Sequence, residues 1–190
     1  MNAPSSEQSL RPASIRPRWA TSWLLIVLAA VVALAAGAYV ARQIWLPNST
    51  TDGSALLNVA LPDAEGREQR LDQWRGKVLV VNFWATWCAP CREEMSEFVQ
   101  FQKEDGGKGL QFVGIAVDQA VKVQEFSKEI GLNYPALIGG LGAMQLSQTL
   151  GNELMALPFT VVVARDGKIV NRHLGPFKAR QLQEIVGKLL

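Results

Sequence analysis

Two cysteines, Cys88 and Cys91, are the residues whose type and spacing most directly suggest chemistry. They are the only cysteines among the 190 residues, so a framework of several structural disulfides is excluded. Two thiols three positions apart can close into a disulfide with little backbone movement. The pair therefore suggests thiol–disulfide exchange, in which one thiolate attacks a disulfide and a second thiol resolves the mixed disulfide.

The position of the pair at the start of a predicted helix supports this chemistry. Unpaired N–H groups and the positive end of the helix dipole would stabilise a thiolate at Cys88 and lower its pKa. Cys88 is then the expected nucleophile and Cys91, one turn further in, the resolving thiol. Pro90 lacks an N–H group, which costs the first helical turn little and keeps the loop rigid.

A structural zinc site and a passive disulfide are the alternatives for this pair. Zinc normally needs four ligands, and only His173, far away in sequence, could join the two cysteines. A passive disulfide would fit a domain in an oxidising compartment. A C-x-x-C motif that opens a helix after a buried strand nevertheless favours redox chemistry.

The elements on either side place the cysteines at a strand-to-helix junction. The run KVLVVNFWA, residues 77–85, is almost continuously β-branched or aromatic and predicts a strand buried on both faces. Apolar residues at helical spacing predict a helix over residues 92–103. Further strands are predicted at 110–117, 134–138, 158–164 and 169–174, and further helices at 121–130, 142–150 and 178–190. With a small hairpin in residues 55–71, this order predicts an α/β sandwich with a mixed central sheet flanked by helices.

An uncharged and strongly apolar segment, residues 19–41, precedes this domain. It is long enough to span a bilayer, and basic residues are concentrated before it. We therefore expect one transmembrane helix in the inner membrane, with residues 1–18 in the cytoplasm and the domain of residues 55–190 in the periplasm or its equivalent. A cleaved signal peptide or a buried helix of the domain are the alternatives. The polar stretch 42–54 is interpreted as a linker.

The charge balance argues against nucleic acid as a partner. The formal net charge is +2, and four arginines stand before Leu46 against Glu7 alone. The rest of the chain is therefore close to neutral and offers no basic face for a phosphate backbone.

The segment VNFWATWCAPCREEM, residues 81–95, resembles the active-site segment of thioredoxin-fold proteins. It is more closely similar to that of the membrane-anchored TlpA/ResA-like thiol:disulfide oxidoreductases. The resemblance covers roughly Leu56 to Leu190, including LPDAEGREQRLDQWRGKV before the strand and LPFTVVVARDGKIVNRHLG after it. It implies a thioredoxin-like fold and oxidoreductase activity through a redox-active Cys88–Cys91 disulfide. No organic cofactor or metal is implied.

The resemblance also implies a substrate-binding set around the cysteines: Trp87, Pro90, Leu157 and Pro158. Trp87 matches the aromatic residue before the first cysteine, with a plain packing role as the alternative. Pro158 matches the family's cis-proline beside the cysteine pair, which lets the backbone of Leu157 hydrogen-bond an extended substrate. A trans proline on an edge strand is the alternative there.

Glu94 matches a carboxylate that family members place near the active site, one helical turn after Cys91. Asn82 stands where ordinary thioredoxins have an aspartate that accepts a proton, and a neutral amide cannot do so. Glu94 is therefore the expected base for Cys91, a role that requires a carboxyl with a raised pKa. The alternative is a solvated helix residue beside Glu93.

Electron flow is expected to run from this protein to its partners. Ala89 and Pro90 offer no charge or donor that would strongly stabilise the reduced thiolate, which favours a reductant. The resemblance implies client proteins with disulfides or thiols, such as the haem-attachment cysteines of apocytochromes c or the thiols of copper-site proteins. It also implies an integral-membrane thiol carrier as the electron donor.

Other functions stay open at this point. A disulfide-forming oxidant would share the motif. A peroxiredoxin-type peroxidase needs a threonine three residues before its reactive cysteine, where this chain has Ala85. A copper-handling chaperone of the Sco type uses C-x-x-x-C with a distant histidine instead of C-x-x-C. A non-catalytic adaptor has no positive support in the sequence.

Overall fold

The structure, a computed structural model, describes residues 19–45 and 52–190. The chain divides into an N-terminal unit within residues 1–49 and a larger unit from residue 50 onward. A single helix, α1 (Trp19–Trp45), forms the described part of the N-terminal unit.

The predicted transmembrane segment, residues 19–41, lies within α1, and the helix continues through residues 42–45 of the predicted linker. In the described part of the chain, no helix combines the length and the apolar character that crossing a membrane requires. The predicted helix is therefore observed at residues 19–41. The membrane-spanning character that was predicted for it is not observed. The predicted tail, residues 1–18, and residues 46–51 of the linker lie outside the described residues.

The larger unit contains every strand and helix predicted for it. In chain order the elements are α2 (Ser54–Leu57), β1 (Ala60–Pro62), β2 (Glu68–Arg70), β3 (Val78–Trp84), α3 (Ala89–Asp105), β4 (Leu110–Ala116), α4 (Ala120–Glu129), β5 (Ala136–Ile138), α5 (Gly140–Thr149), β6 (Phe159–Val163), β7 (Ile169–Leu174) and α6 (Ala179–Val186). Several details differ from the prediction: α3 begins at Ala89 instead of residue 92, β5 begins at Ala136 instead of residue 134, and two short 3-10 helices, Leu71–Trp74 and Gly106–Lys108, were not predicted. The short helix α2 was not predicted, and α6 ends at Val186, before Gly187, because glycine favours helix termination.

Five strands form one mixed sheet in the order β5-β4-β3-β6-β7. β3 pairs parallel with β4 and antiparallel with β6. β5 is parallel to β4, and β7 is antiparallel to β6. β1 and β2 form a separate hairpin, as predicted. The predicted α/β sandwich with a mixed sheet is confirmed, and β3 is its central strand with all seven residues buried.

Each face of the sheet has its own hydrophobic core, because alternate side chains of a strand point to opposite faces. Val78, Val80 and Trp84 of β3 pack with side chains of α3, α4 and α6. The intervening apolar residues of β3 pack with α2 and α5 on the other face. Asn82, the polar residue of β3, stands between Val80 and Trp84 in the first alternating set and therefore lies on the face covered by α3.

The antiparallel pairing of β3 and β6 brings two distant segments to one edge of the sheet. Phe83, near the carboxyl end of β3, pairs with Phe159 at the amino end of β6. The cysteine segment follows β3, and Pro158 immediately precedes β6. The fold therefore places the cysteine pair and Pro158 at the same edge.

Candidate active site

Cys88 and Cys91 are joined by a disulfide, with their Cα atoms 5.3 Å apart. Cys88 is the N-cap residue of α3, and Cys91 lies in the first turn with Pro90 before it. The N–H groups of Cys91 and Arg92 donate to the carbonyl oxygen of Cys88 at 3.1 and 3.2 Å. Cys88 is 7% exposed and Cys91 is fully buried. Cys88 is thus the sulfur nearer to an incoming disulfide.

Glu94 lies one turn after Cys91 and is only 4% exposed. Its Oε1 accepts a hydrogen bond from Nδ2 of Asn82 at 2.7 Å, and its Oε2 accepts one from the backbone N–H of Phe177 at 2.8 Å. These contacts exclude the alternative of a solvated helix residue. The carboxyl is held in the protein interior, on the same helix as Cys91 and one turn after it.

Burial raises the pKa of Glu94 to about 7, because a buried carboxylate loses its hydration. The hydrogen bonds from Phe177 and Asn82 act in the opposite direction, and the charge of Glu97 adds slightly to the increase. A carboxyl that titrates near neutral pH can both accept and release a proton under working conditions. This is the property that the role of base for Cys91 requires.

Asn82 orients the carboxylate of Glu94 through a hydrogen bond and does not itself act as a base. Its Nδ2 group donates a second hydrogen bond to Oγ1 of Thr160 at 3.0 Å. Thr160 is the residue opposite Asn82 on β6, so the sheet register fixes this contact. Thr160 was not singled out in the sequence, because its role depends on pairing between strands that are far apart along the chain.

Phe177, which holds the other oxygen of Glu94, stacks on His173 with their ring centroids 4.3 Å apart. Nε2 of His173 lies 3.1 Å from the carbonyl oxygen of Pro176. His173, which lies on β7, is half-buried. Within the part of the chain that the structure describes, no group of three or more His, Cys, Asp or Glu side chains could hold a metal ion.

The remaining predicted site residues surround the cysteines at the sheet edge. Trp87 is 68% exposed, which excludes a plain packing role. Pro90 is exposed, Leu157 is half-buried and Pro158 is buried. The peptide bond between Leu157 and Pro158 is cis. An apolar ring, a half-buried leucine and the more accessible sulfur are thus available to a docking polypeptide.

A loop before Leu157 adds two further exposed apolar side chains, Leu154 and Met155. The buried side chain of Asn152 closes this loop: its Nδ2 donates to the carbonyl oxygen of Ala156 at 2.9 Å and its Oδ1 accepts from the N–H of Ala156 at 3.1 Å. This loop was not predicted as part of the site. Its position next to Pro158 places these two side chains near the sheet edge that carries the cysteine pair.

Asp118 fixes the segment that leads into the cysteines. Its Oδ2 accepts hydrogen bonds from the N–H group of Thr86, at 3.1 Å, and from the Thr86 hydroxyl. Burial acts to raise the pKa of Asp118, but the hydrogen bonds from Thr86 and Gln119 outweigh it, so the pKa lies below its usual value. Asp118 is therefore a charged anchor for this segment and was not predicted as a site residue.

The class of protein follows from where the disulfide lies. A C-x-x-C disulfide at the N-terminus of the helix after the central strand, opposite a cis-proline, defines a thioredoxin-like thiol:disulfide oxidoreductase. The Redoxin family model matches residues 51–189, and the chain belongs to this family.

Named relatives agree with this class. The thiol-disulfide oxidoreductase ResA of Bacillus thuringiensis subsp. konkukian is 29% identical over 138 residues, which cover 72% of this chain and 78% of the relative. ResA of Halalkalibacterium halodurans is 27% identical over 167 residues, covering 86% and 92%. A solved structure of a thiol:disulfide interchange protein from Chlorobium tepidum matches with a TM-score of 0.63 and 28% identity, covering 69% and 92%. The predicted TlpA/ResA-like family, thioredoxin-like fold and oxidoreductase activity are confirmed.

Proposed function

We propose that this protein reduces disulfide bonds of client proteins outside the cytoplasm by dithiol–disulfide exchange. The observation that carries the proposal is the buried carboxyl of Glu94, held one turn from Cys91 with a pKa of about 7. It provides the resolving thiol with a base at neutral pH. A passive disulfide would have no use for such a group.

The reaction begins with the reduced pair. The Cys88 thiolate, at the N-terminus of α3, attacks one sulfur of the client disulfide, and the other client sulfur leaves as a thiolate. Cys91 then transfers its proton to Glu94 and attacks Cys88. The Cys88–Cys91 bond forms as the bond from Cys88 to the client breaks, and the second client thiolate leaves. Two electrons have passed from the cysteine pair to the client.

The client is proposed to bind as an extended segment along the edge formed by Trp87, Leu157 and Pro158. Trp87 offers an exposed ring beside Cys88, and the backbone of Leu157 offers hydrogen-bonding groups to an extended chain. Leu154 and Met155 extend the apolar surface. These contacts suit a client whose cysteine is flanked by apolar side chains.

The reductive direction is supported by the residues between the cysteines. Ala89 and Pro90 carry no charge and no side-chain donor, so they add nothing to the stabilisation of the Cys88 thiolate by the helix N-terminus. We propose as clients the haem-attachment cysteines of apocytochromes c or the thiols of copper-site proteins. An integral-membrane thiol carrier would return the protein to its reduced form. The reaction uses the Cys88–Cys91 pair and no further cofactor.

The reduction potential tests the proposed direction. The full chain is equilibrated in graded thiol–disulfide buffers at pH 7, quenched with acid, and the two cysteines are alkylated and counted by mass. A potential at or below about −230 mV supports a reductase, whereas a potential near about −120 mV would identify a disulfide-forming oxidant. A pair that stays oxidised across the series would identify a passive disulfide.

Placement outside the cytoplasm and attachment to the inner membrane through residues 19–41 are part of the proposal. The support is the sequence: no charged residue in that segment, and basic residues concentrated before it. The test is alkaline extraction of membranes from cells that produce the full chain, followed by protease treatment of spheroplasts. Retention in the membrane with an accessible domain supports the proposal, whereas release as an intact soluble chain contradicts the attachment.

A further inference from the structure

One peptide group, between Pro176 and Phe177, joins His173 to Glu94. Its N–H donates to Oε2 of Glu94 at 2.8 Å, and its carbonyl oxygen lies 3.1 Å from Nε2 of His173. Because a carbonyl oxygen can only accept, Nε2 carries the proton of this contact. The peptide bond is trans, so its two polar groups point in opposite directions. His173 and Glu94 therefore hold the same peptide group from its two sides.

Side chains hold this peptide group, because it belongs to neither a helix nor a strand. It lies in the segment between the end of β7 at Leu174 and the start of α6 at Ala179. Within the described residues, no backbone group donates to the carbonyl oxygen of Pro176 or accepts from the N–H of Phe177. Without His173, the orientation of this N–H would depend on Glu94 alone.

The imidazole of His173 is itself held by its surroundings. His173 pairs with Thr160 across β7 and β6. Its ring stacks on that of Phe177, with 4.3 Å between the centroids and 16° between the planes. The N–H of Gly175 donates to the carbonyl oxygen of Pro158 at 2.8 Å, which ties the segment after β7 to the start of β6. The strand pairing and the stack thus fix the imidazole beside the peptide group.

A donor on the carbonyl side of a peptide group strengthens the bond on its N–H side. A hydrogen bond to the carbonyl oxygen polarises the group, so its N–H becomes a better donor. The N–H of Phe177 acts to lower the pKa of Glu94, against the larger effect of burial. His173 is therefore placed to stabilise the ionised form of Glu94, which is the form that can accept a proton.

We propose that His173 is a positioning residue for Glu94: it fixes the peptide group whose N–H holds the carboxylate in its ionised form. This inference rests on the proposed function, in which that carboxylate accepts the proton of Cys91. The role requires no contact between the imidazole and the client, and no proton or electron passes through the ring.

The titratable groups around Glu94 come from several elements. Cys91 and Glu97 lie on α3, Tyr134 precedes β5 and His173 lies on β7. A pH profile of the resolution step reports on all of them. Two variants of His173 that do not titrate are therefore compared with each other, which keeps the other groups constant.

The test follows one turnover of the reduced full chain with a symmetrical aromatic disulfide that releases a coloured thiol. The first equivalent of thiol reports the attack by Cys88, and the second reports the attack by Cys91. The rate of the second phase is measured across a pH range that brackets the Glu94 pKa of about 7. In the wild-type protein its midpoint is expected near that value, because Glu94 becomes a base there.

His173→Phe keeps a ring to stack on Phe177 and removes the donor to Pro176. The midpoint of the second phase is expected to rise by about 0.5 to 1 pH unit, part of what a hydrogen bond to an ionised group contributes. At pH 7 the second phase is then about two- to fivefold slower, because less of Glu94 is ionised. The first phase is expected to stay unchanged. If His173→Phe fails to fold, His173→Ala, which also lacks the donor, takes its place with the same expected shift.

His173→Gln is the conservative variant, because its amide nitrogen can occupy the place of Nε2 and donate to the same carbonyl oxygen. It is expected to keep the wild-type midpoint. Asn171→Ala is the control: it removes another half-buried polar side chain from the same face of β7 and is expected to leave both phases unchanged. A midpoint that His173→Phe leaves in place, or that both His173 variants raise equally, would overturn the inference.

Glu94→Gln separates this inference from the function on which it rests. In the Glu94→Gln background, His173→Phe should have no effect on the remaining second phase, because the ionisable group on which His173 acts is gone. If Glu94→Gln slows the second phase but His173→Phe does not move the midpoint, Glu94 remains the base and only the role of His173 is wrong. If Glu94→Gln leaves the second phase unchanged, the proposed role of Glu94 fails, and the role of His173 fails with it.

Discussion

Replacing Glu94 with glutamine removes one ionisable group from the protein interior and leaves its shape almost unchanged. The carbonyl oxygen of the new side chain can still accept from the N–H of Phe177, as Oε2 of Glu94 does now. The new NH₂ group would face Nδ2 of Asn82, but Oδ1 of Asn82 has no partner among residues 19–45 and 52–190. A flip of the Asn82 amide lets Oδ1 accept from the new NH₂ group, and the Thr160 hydroxyl can rotate to donate to the same oxygen. The variant is therefore expected to fold.

The expected effect is on the pH dependence of stability. In the folded protein Glu94 keeps its proton up to a pKa of about 7, whereas in the unfolded chain the proton is lost near 4.5. The folded state binds more protons between these values, so this contribution to stability is complete at low pH and is lost as pH rises through 7. From pH 5 to pH 8 the wild-type protein should lose about 2.5 kcal/mol relative to Glu94→Gln.

The assay is urea unfolding of the oxidised full chain at several pH values, followed by tryptophan fluorescence. Oxidation keeps the cysteine thiols out of the titration, and the difference between two proteins cancels the groups they share. Glu93→Gln, which removes a charge from an exposed position on the same helix, is the control and should follow the wild-type profile. Parallel profiles for wild type and Glu94→Gln would refute a carboxyl that titrates near pH 7.

Three further substitutions test the surroundings of the site. Trp87→Ala is expected to change the free energy of unfolding by less than about 0.5 kcal/mol, because the ring is exposed. It is expected to raise KM for a disulfide client, and an unchanged KM in steady-state kinetics would contradict a client-binding role. Asn152→Ala removes two side-chain hydrogen bonds to Ala156, which close the loop, and one to the Ser147 hydroxyl on α5. It is expected to cost about 2 kcal/mol in urea unfolding, and an unchanged midpoint would show that the loop does not need these bonds. Gly114→Ala places a methyl group against Nε1 of Trp84 and is expected to lower the free energy of unfolding by about 1 to 3 kcal/mol. Gly107→Ala, which has open space around it, should lower it far less. Equal unfolding midpoints for the two variants would refute tight packing at Gly114.

The sheet and its helices could be predicted from the sequence because the central strands are buried on both faces. β3 and β4 are each seven residues long and fully buried, so each appears as a mostly apolar run, interrupted by Asn82 in β3 and by Gln111 in β4. The helix α2 could not be predicted in this way, since four residues are too few to show a helical period. The apolar segment 19–41 predicted a helix, which is observed; its membrane role stays a prediction.

Of the site, only the residues that stand in a recognisable motif or match the family's pattern could be predicted from the sequence. The C-x-x-C pair and Pro158 stand in recognisable local patterns. The burial of Glu94 could not be predicted, because its two partners, Asn82 and Phe177, lie 12 and 83 residues away along the chain. Contacts of this kind exist only once the sheet register is set.

The division of labour between the two cysteines is tested most directly by trapping the mixed disulfide. Full-length Cys91→Ser and Cys88→Ser are each mixed in reduced form with a peptide that contains one disulfide, quenched with acid and weighed by mass spectrometry. We expect Cys91→Ser to accumulate a stable adduct through Cys88, and Cys88→Ser to form almost none, because Cys91 is buried. An adduct in Cys88→Ser alone, or in neither variant, would contradict Cys88 as the nucleophile and Cys91 as the resolving thiol.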